Sequence, residues 1–225
     1  GMWGEEENMR EKENKRWRWG AAAYWFCALL PLLASALLYR QMPEEMVTQW
    51  AWDGTPGGYS SREMACFGIP GFLLLMVVLV NGAFRLDPKW KNIRESKTMY
   101  VLSRWFVVIL AIAIQGIILA NAMGVLLDVA RAISVFLAMF FFFLGLYLPE
   151  CRPNYTMGIR IPWTLHDEEN WRLTHRFSGR LWMAGGAVMA AAGFFKWMAV
   201  YFGALAVMTA GPMVYSYWVY RRKGR

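Results

Sequence analysis

Charge is scarce in this 225-residue chain, and most of the usual catalytic signatures are missing from it. Only 18% of its residues are Asp, Glu, Lys or Arg, against about 25% in soluble domains. Low charge with high apolar content excludes a disordered chain, which needs the opposite balance. Three cysteines are too few for a disulfide scaffold. There is no Gly-rich phosphate loop, no nucleophile elbow, no HExxH pair and no paired CxxC, which removes the familiar nucleotide, serine-hydrolase, zinc-protease and dithiol chemistries. Nothing in these motifs implies a cofactor.

What is present is apolar and arranged in blocks. Hydrophobic residues make up 57%, mean hydropathy is +0.27, and 13 of the residues are Trp. Six long, nearly charge-free runs cover 20–39, 64–84, 105–127, 132–149, 181–195 and 196–220. A helix needs roughly 20 mainly apolar residues to cross the hydrocarbon core. The runs therefore predict an all-α integral membrane protein, a bundle of six transmembrane helices. The fifth run is the shortest, and Lys196 at its end is placed to snorkel to the interface. No run holds Asp, Glu, Lys, Arg or His near its middle, which disfavours transport through a charged relay. Gln115 is the one long polar side chain near a run's centre, and it reads as an interhelical hydrogen bond.

The basic residues set the orientation. Twenty of the 24 lie in the N-terminal tail, the second and fourth linkers and the C-terminal tail. Cytoplasmic segments carry such an excess, so both termini are expected on the cytoplasmic side of the membrane. The net charge of +8 is then a topology signal in contact with lipid headgroups, and no direct nucleic-acid partner is expected. The charged start followed by a full-length run reads as a retained span rather than a cleaved signal. The expected organisation is a charged tail over 1–19 and a first pair of spans over 20–99, containing an outer loop 40–63 and a cytoplasmic linker 85–99. A four-span unit over 100–225 follows, with a cytoplasmic loop at 149–180.

Several residues have an ordinary structural reading. Trp17, Trp19, Trp105, Trp182 and Trp218 are expected at the inner interface, and Trp50, Trp52 and Trp197 at the outer one, as aromatic belts. Gly186 with Ala190, and Ala187 with Ala191, have the spacing of a close helix contact. Pro31, Pro70 and Pro212 are tolerable kinks in a bundle. Cys27 and Cys151 read as packing residues or free thiols.

Two connections are richer than a link between spans requires. The outer one, 42–62, contains the turn chemistry of Asp53-Gly54 and Pro56-Gly57-Gly58 beside an alternating stretch from Val47 to Trp52. It predicts a short hairpin that either caps the bundle or offers a binding surface. The inner one contains Thr164 and Asp167 ahead of a helical pattern. Glu168 stands four before Arg172 as a supporting pair, and Arg172, Arg176 and Arg180 form one ridge. Leu173 and Phe177 form another, which makes an amphipathic helix for the membrane surface or a partner. His166 and His175 are nine residues apart, on opposite sides of one helix, so no metal site is expected of them.

The inner stretch carries a family resemblance. Asn154, Tyr155, Gly158, Ile159, Arg160, Ile161, Pro162, Trp163, Thr164 and Leu165, then Trp171 and Thr174, His175, Arg176, Phe177, Ser178 and Gly179, resemble the signature of the SdpI family of bacterial membrane proteins. The outer loop is similar to the domain of unknown function that often fills that family's N-terminal half, through Pro43, Trp50, Gly54, Tyr59 and Arg62 in order. It departs from that pattern at Gln49, Gly57 and Arg62, where His, Asp and Lys are usual.

The resemblance implies an immunity and signalling protein that guards the cell against a secreted peptide toxin and holds a cytoplasmic repressor at the membrane. On it, Pro43, Gln49, Trp50, Asp53, Gly54, Tyr59 and Arg62 form the toxin-sensing outer loop. Asn154, Tyr155, Gly158, Ile159, Arg160, Pro162, Trp163, Thr164, Trp171, His175 and Arg176 form the surface for the partner. The alternative is a membrane enzyme or a lipid or small-molecule carrier, using Arg160, His166, His175 and Arg176 to hold a phosphate.

Overall fold

Helix α1 (Met2–Leu38) leads out to the hairpin that the outer loop predicts. The computed structural model describes the backbone of residues 2–224 and the side chains of 20–224. The side chains of the charged tail 1–19, with Trp17 and Trp19, lie outside the described residues. Strand β1 (Glu45–Trp50) pairs antiparallel with β2 (Pro56–Ser61), in a register running from Glu45 opposite Ser61 to Trp50 opposite Pro56. Gly54 at the turn has φ +89°, a conformation glycine adopts without a Cβ clash. Met42 and Met46 drive the hairpin's inner face into a buried cluster with Ala65, Cys66, Ile118 and Leu119.

A π-helical turn (Met64–Gly68) opens α2 (Ile69–Leu86), with Pro70 in its first turn. A short α3 (Trp90–Glu95) then lies at the inner end before α4 (Lys97–Ala122) and α5 (Val129–Tyr147). Asp128 caps α5 by accepting from the Arg131 amide. Past the inner loop come a single turn, α6 (Pro162–Leu165), then α7 (Glu168–Phe194) and α8 (Met198–Lys223).

Six long helices thus make the bundle. Five of them are long and apolar enough to cross a membrane. The sixth, α7, differs from the separate surface helix and short span that the sequence predicts. It is one unbroken helix, because nothing between Arg180 and Leu181 stops it, and its charged first half extends the short apolar second half. Its cap also differs. Asp167, not Thr164, accepts from the Glu169 and Asn170 amides, while Thr164 closes the preceding turn by accepting from the Ile161 amide at 3.1 Å.

The helices pack as two groups. α1, α2 and α4 form one, knitted by polar bonds inside the apolar interior. Gln115 Nε2 donates to Ser35 Oγ at 2.8 Å and to the Ala65 carbonyl at 2.9 Å, the interhelical role its position predicts. Asn81 donates to the Tyr24 hydroxyl at 2.8 Å. α5, α7 and α8 form the other. There α5 and α7 approach until a Cβ on Gly145 would stand 2.7 Å from the Gly179 carbonyl, and one on Gly186 2.7 Å from the Phe142 amide. Gly186 is therefore in the expected close contact, whereas Ala187 and Ala191 face outward. Between the groups, α4 and α5 meet lightly, chiefly where Phe106 stacks on Phe140.

Candidate functional site

The two groups are tied together at the inner end by the loop that follows α5. Residues 151–161 leave α5 and cross to the α2–α3–α4 group. The Arg152 amide donates to Ser96 Oγ at 2.8 Å, and Asn92 donates to the Pro153 carbonyl at 2.7 Å. Asp87 receives the Tyr155 amide at 2.8 Å and the Thr156 hydroxyl at 2.6 Å on one carboxylate oxygen. Asn154, fully buried, folds the strap by accepting from the amides of Thr156 and Met157. Phe84, Ile93 and Met99 of the first group share one apolar cluster with Leu148, Cys151, Met157 and Trp171.

The strap's return is fixed by α7. Trp171 Nε1 donates to the Cys151 carbonyl at 2.7 Å. The Ile159 amide donates to His175 Nε2 at 3.0 Å, which leaves His175 Nδ1 as the protonated nitrogen that meets the Trp171 carbonyl at 2.8 Å. The imidazole stacks on Trp171 with centroids 4.1 Å apart. Burial pulls its pKa down to about 4, against the opposing pull of the Trp171 carbonyl, so the ring is neutral at physiological pH. Burial likewise pushes the Cys151 thiol up to about 12. Gly158 has φ +92°, and a Cβ there would lie 2.5 Å from His175 Nε2. Only glycine satisfies both demands.

The signature residues therefore divide. Asn154, Gly158, Thr164, Trp171 and His175 build the strap from inside, and Ile159 supplies backbone to it. Tyr155, Arg160, Pro162 and Arg176 are exposed, and Trp163 is half-buried against Tyr217. Arg160 donates to the Tyr155 carbonyl at 2.6 Å. Pro162, Trp163, His166 and Asp167 face Tyr220, Arg221 and Lys223 across a cleft of about 780 Å³ at the inner end of α8. Lys223 bridges Asp167 and Glu169 there, and its hydrogen bond holds the Asp167 carboxyl below the usual range. Arg176 is not part of this cleft. Nor does Glu168 pair with Arg172 in the way their spacing predicts; its neighbours Asp167 and Glu169 are the acids that find a cation, in Lys223.

At the outer end the groups diverge and leave an apolar groove of about 1000 Å³. Its walls are Phe106, Leu110, Ile114 and Ile117 of α4, one face of α5 from Val129 to Phe141, and Met198, Tyr201, Phe202 and Leu205 of α8. The hairpin segment from Thr48 to Trp52 covers its mouth. Of the outer-loop residues, Gln49 and Trp50 line this groove, and Gly54 rests against Ala130 of α5. Asp53 is exposed and accepts from the Thr55 amide and hydroxyl, the latter being the main cause of its lowered pKa. Pro43 and Tyr59 face away in solvent, and Arg62 lies over the Tyr39 ring.

The groove walls escaped the sequence reading because they belong to helices that are apolar on every side, so no contrast marks the inner face. Asp128 likewise belongs to no motif that would mark it in the sequence. It pairs with Lys196 at 2.9 Å, tying the α7–α8 turn to the start of α5, and that bond is the main cause of its lowered pKa.

Comparison with known proteins matches both ends of this architecture. Residues 150–216 match the family described as SdpI/YfhL protein family, and residues 26–74 match the domain of unknown function DUF1648. The immunity protein SdpI of Bacillus subtilis (strain 168) is 27% identical over 166 residues, covering 74% of this chain and 77% of that protein. No solved structure matches. The first match takes in the strap, α7 and most of α8, and the second takes in the end of α1, the hairpin and the start of α2. With these segments in this order on a bundle of apolar helices, the chain is a multi-pass membrane protein whose C-terminal part resembles the SdpI/YfhL family.

Proposed function

We propose that this chain is an immunity protein of the bacterial cytoplasmic membrane, protecting its host from a secreted antimicrobial peptide. The outer groove takes an apolar segment of the peptide, with Gln49 and Trp50 at its mouth. The inner cleft beside Trp163, with Tyr155, Arg160 and Pro162 near it, docks a soluble repressor, and no nucleic acid is contacted directly. The observation that carries this reading is the groove itself. It is an apolar space of about 1000 Å³, at the upper end of ordinary ligand sites, and the hairpin covers it on the side a secreted peptide reaches. The likeness to a protein named for immunity supports it. A phosphate-binding or catalytic use of the inner loop has less support, because both nitrogens of His175 are engaged by backbone groups.

The test is survival of sensitive bacteria exposed to a panel of secreted apolar peptides. Strains carry the wild type, Ile133→Trp, which fills the groove, or Arg160→Ala, all at equal membrane abundance. Wild-type protection that Ile133→Trp removes and Arg160→Ala retains supports the assignment, and Arg160→Ala then loses capture of the repressor. Protection by none of them overturns the immunity reading. Full protection by Ile133→Trp overturns the groove.

A further inference from the structure

α7 has three faces, and two are occupied. One packs on α5 through Gly179 and Gly186, and another meets α8 through Gly185 and through Phe177 and Leu181 against Gly211. The third looks out of the bundle. In the apolar half it presents Ala184, Ala187 and Ala191, and in the charged half Arg172, Arg176 and Arg180, all of them exposed. At about 100° per residue these six positions fall within about 120° of the helix surface. The arginines thus stand directly above a run of alanines on one straight element.

Two features separate these arginines from ordinary topology charges. They lie on a helix rather than in a loop, so neighbouring guanidinium groups start from Cβ atoms only about 5–6 Å apart, a spacing from which two forks converge on one phosphate. Among the described residues they also have no acidic partner. Among the described residues, the ion pairs formed by arginine involve Arg131 and Arg152 alone, and no hydrogen bond engages Arg176 or Arg180. Glu168, one turn before Arg172, is the nearest carboxylate on the ridge, which places the most positive stretch at Arg176 and Arg180. From Arg172 to Arg180 the ridge rises about 12 Å, more than the depth of one headgroup layer, roughly 5–8 Å. Arg180 therefore stands nearest the hydrocarbon edge while Arg172 reaches towards the cytoplasm.

We propose that this outward ridge binds one anionic phospholipid of the inner leaflet, with Arg176 and Arg180 holding its phosphate and the alanine run seating an acyl chain. Small side chains let the chain lie close to the helix backbone, as they do between helices. The site is separate from the outer groove and the inner cleft and stands whether or not the peptide reading does.

The experiment uses the full chain in an uncharged maltoside detergent, titrated with palmitoyl-oleoyl phosphatidylglycerol or phosphatidylcholine and read by native mass spectrometry of the lipid-bound species. The expected result is one retained phosphatidylglycerol at physiological salt, held more tightly than phosphatidylcholine. In the double variant Arg176→Gln/Arg180→Gln its apparent affinity falls about tenfold or more. Arg221→Gln/Arg222→Gln removes the same charge from the C-terminal tail, and the affinity changes less than about threefold. Arg176→Lys/Arg180→Lys keeps the charge without the fork and loses part of the affinity. Equal losses in the ridge and tail variants, or no preference for phosphatidylglycerol, overturn the proposal. Displacement of the lipid by millimolar inorganic phosphate also overturns it, since the site then reads free phosphate.

Discussion

Replacing His175 with Phe isolates the bond that closes the strap. Phe keeps a flat ring against Trp171, where the imidazole now stacks at 4.1 Å, but it has no acceptor for the Ile159 amide, now 3.0 Å from Nε2. A buried donor left without a partner costs about 1–3 kcal/mol. Taking about 2 kcal/mol, and tenfold per 1.4 kcal/mol, the open form of the strap becomes roughly 30 times more populated. Cys151 reports this opening. It is 4% exposed, and burial holds its thiol at about 12, so both access and reactivity are suppressed while the strap is closed. In a Cys27→Ser/Cys66→Ser background, maleimide labelling of Cys151 at pH 7.5 is expected to accelerate by that factor, with the helical signal unchanged. An unaltered labelling rate in folded protein would refute the claim that His175 Nε2 holds the strap shut.

The same histidine gives a pH dependence. Its folded pKa of about 4 lies below the reference 6.5, so the unfolded chain binds the extra proton first. The associated stability is complete above pH 6.5 and is lost as pH falls towards 4, about 3 kcal/mol in all. The melting temperature in detergent should fall across that window in the wild type and much less in His175→Phe. Gly158→Ala forces a side chain into φ +92° and against His175, and should lower stability by about 2 kcal/mol or more, seen as early melting and fast Cys151 labelling. Asp87→Ala removes the acceptor of the Tyr155 amide, the Thr156 hydroxyl and the Lys89 amide and should cost about 2–4 kcal/mol for the two strap bonds alone, measured by chemical denaturation. Lys196→Gln breaks only the exposed pair with Asp128 and should shift stability by less than about 1 kcal/mol.

The bundle was largely legible because its signal is one of quantity: long apolar runs separated by basic linkers leave few alternatives. The hairpin was legible from Asp53-Gly54 and the alternation before it. The continuity of α7 was not, since a helix half in lipid and half in water has two hydropathies, and composition reads it as two elements. The inner signature was recognisable, but its burial was not. A tryptophan, a histidine and an asparagine in a polar loop read as a surface when their partners are backbone groups far away in sequence, such as the carbonyl of Cys151 for Trp171 and the amide of Ile159 for His175. The groove was invisible for the opposite reason, because Phe106, Leu110 and Ile114 look like any other lipid-facing residues of α4.

The uneven stitching of the two helix groups gives the molecule a stiffness that varies along the membrane normal. At the inner end, separating them breaks the bonds to Asp87, Ser96 and Asn92 and opens a shared apolar cluster. At the outer end it disturbs the seat of Gly54 on Ala130 and the cover that residues 48–52 give the groove, and among the described residues no hydrogen bond or ion pair joins the groups there. A lateral load on the bundle is therefore absorbed mostly in the outer leaflet, as in a clothes-peg sprung at its base. Bilayers of different outer-leaflet crowding should alter the width of the groove while leaving the strap's geometry as it is.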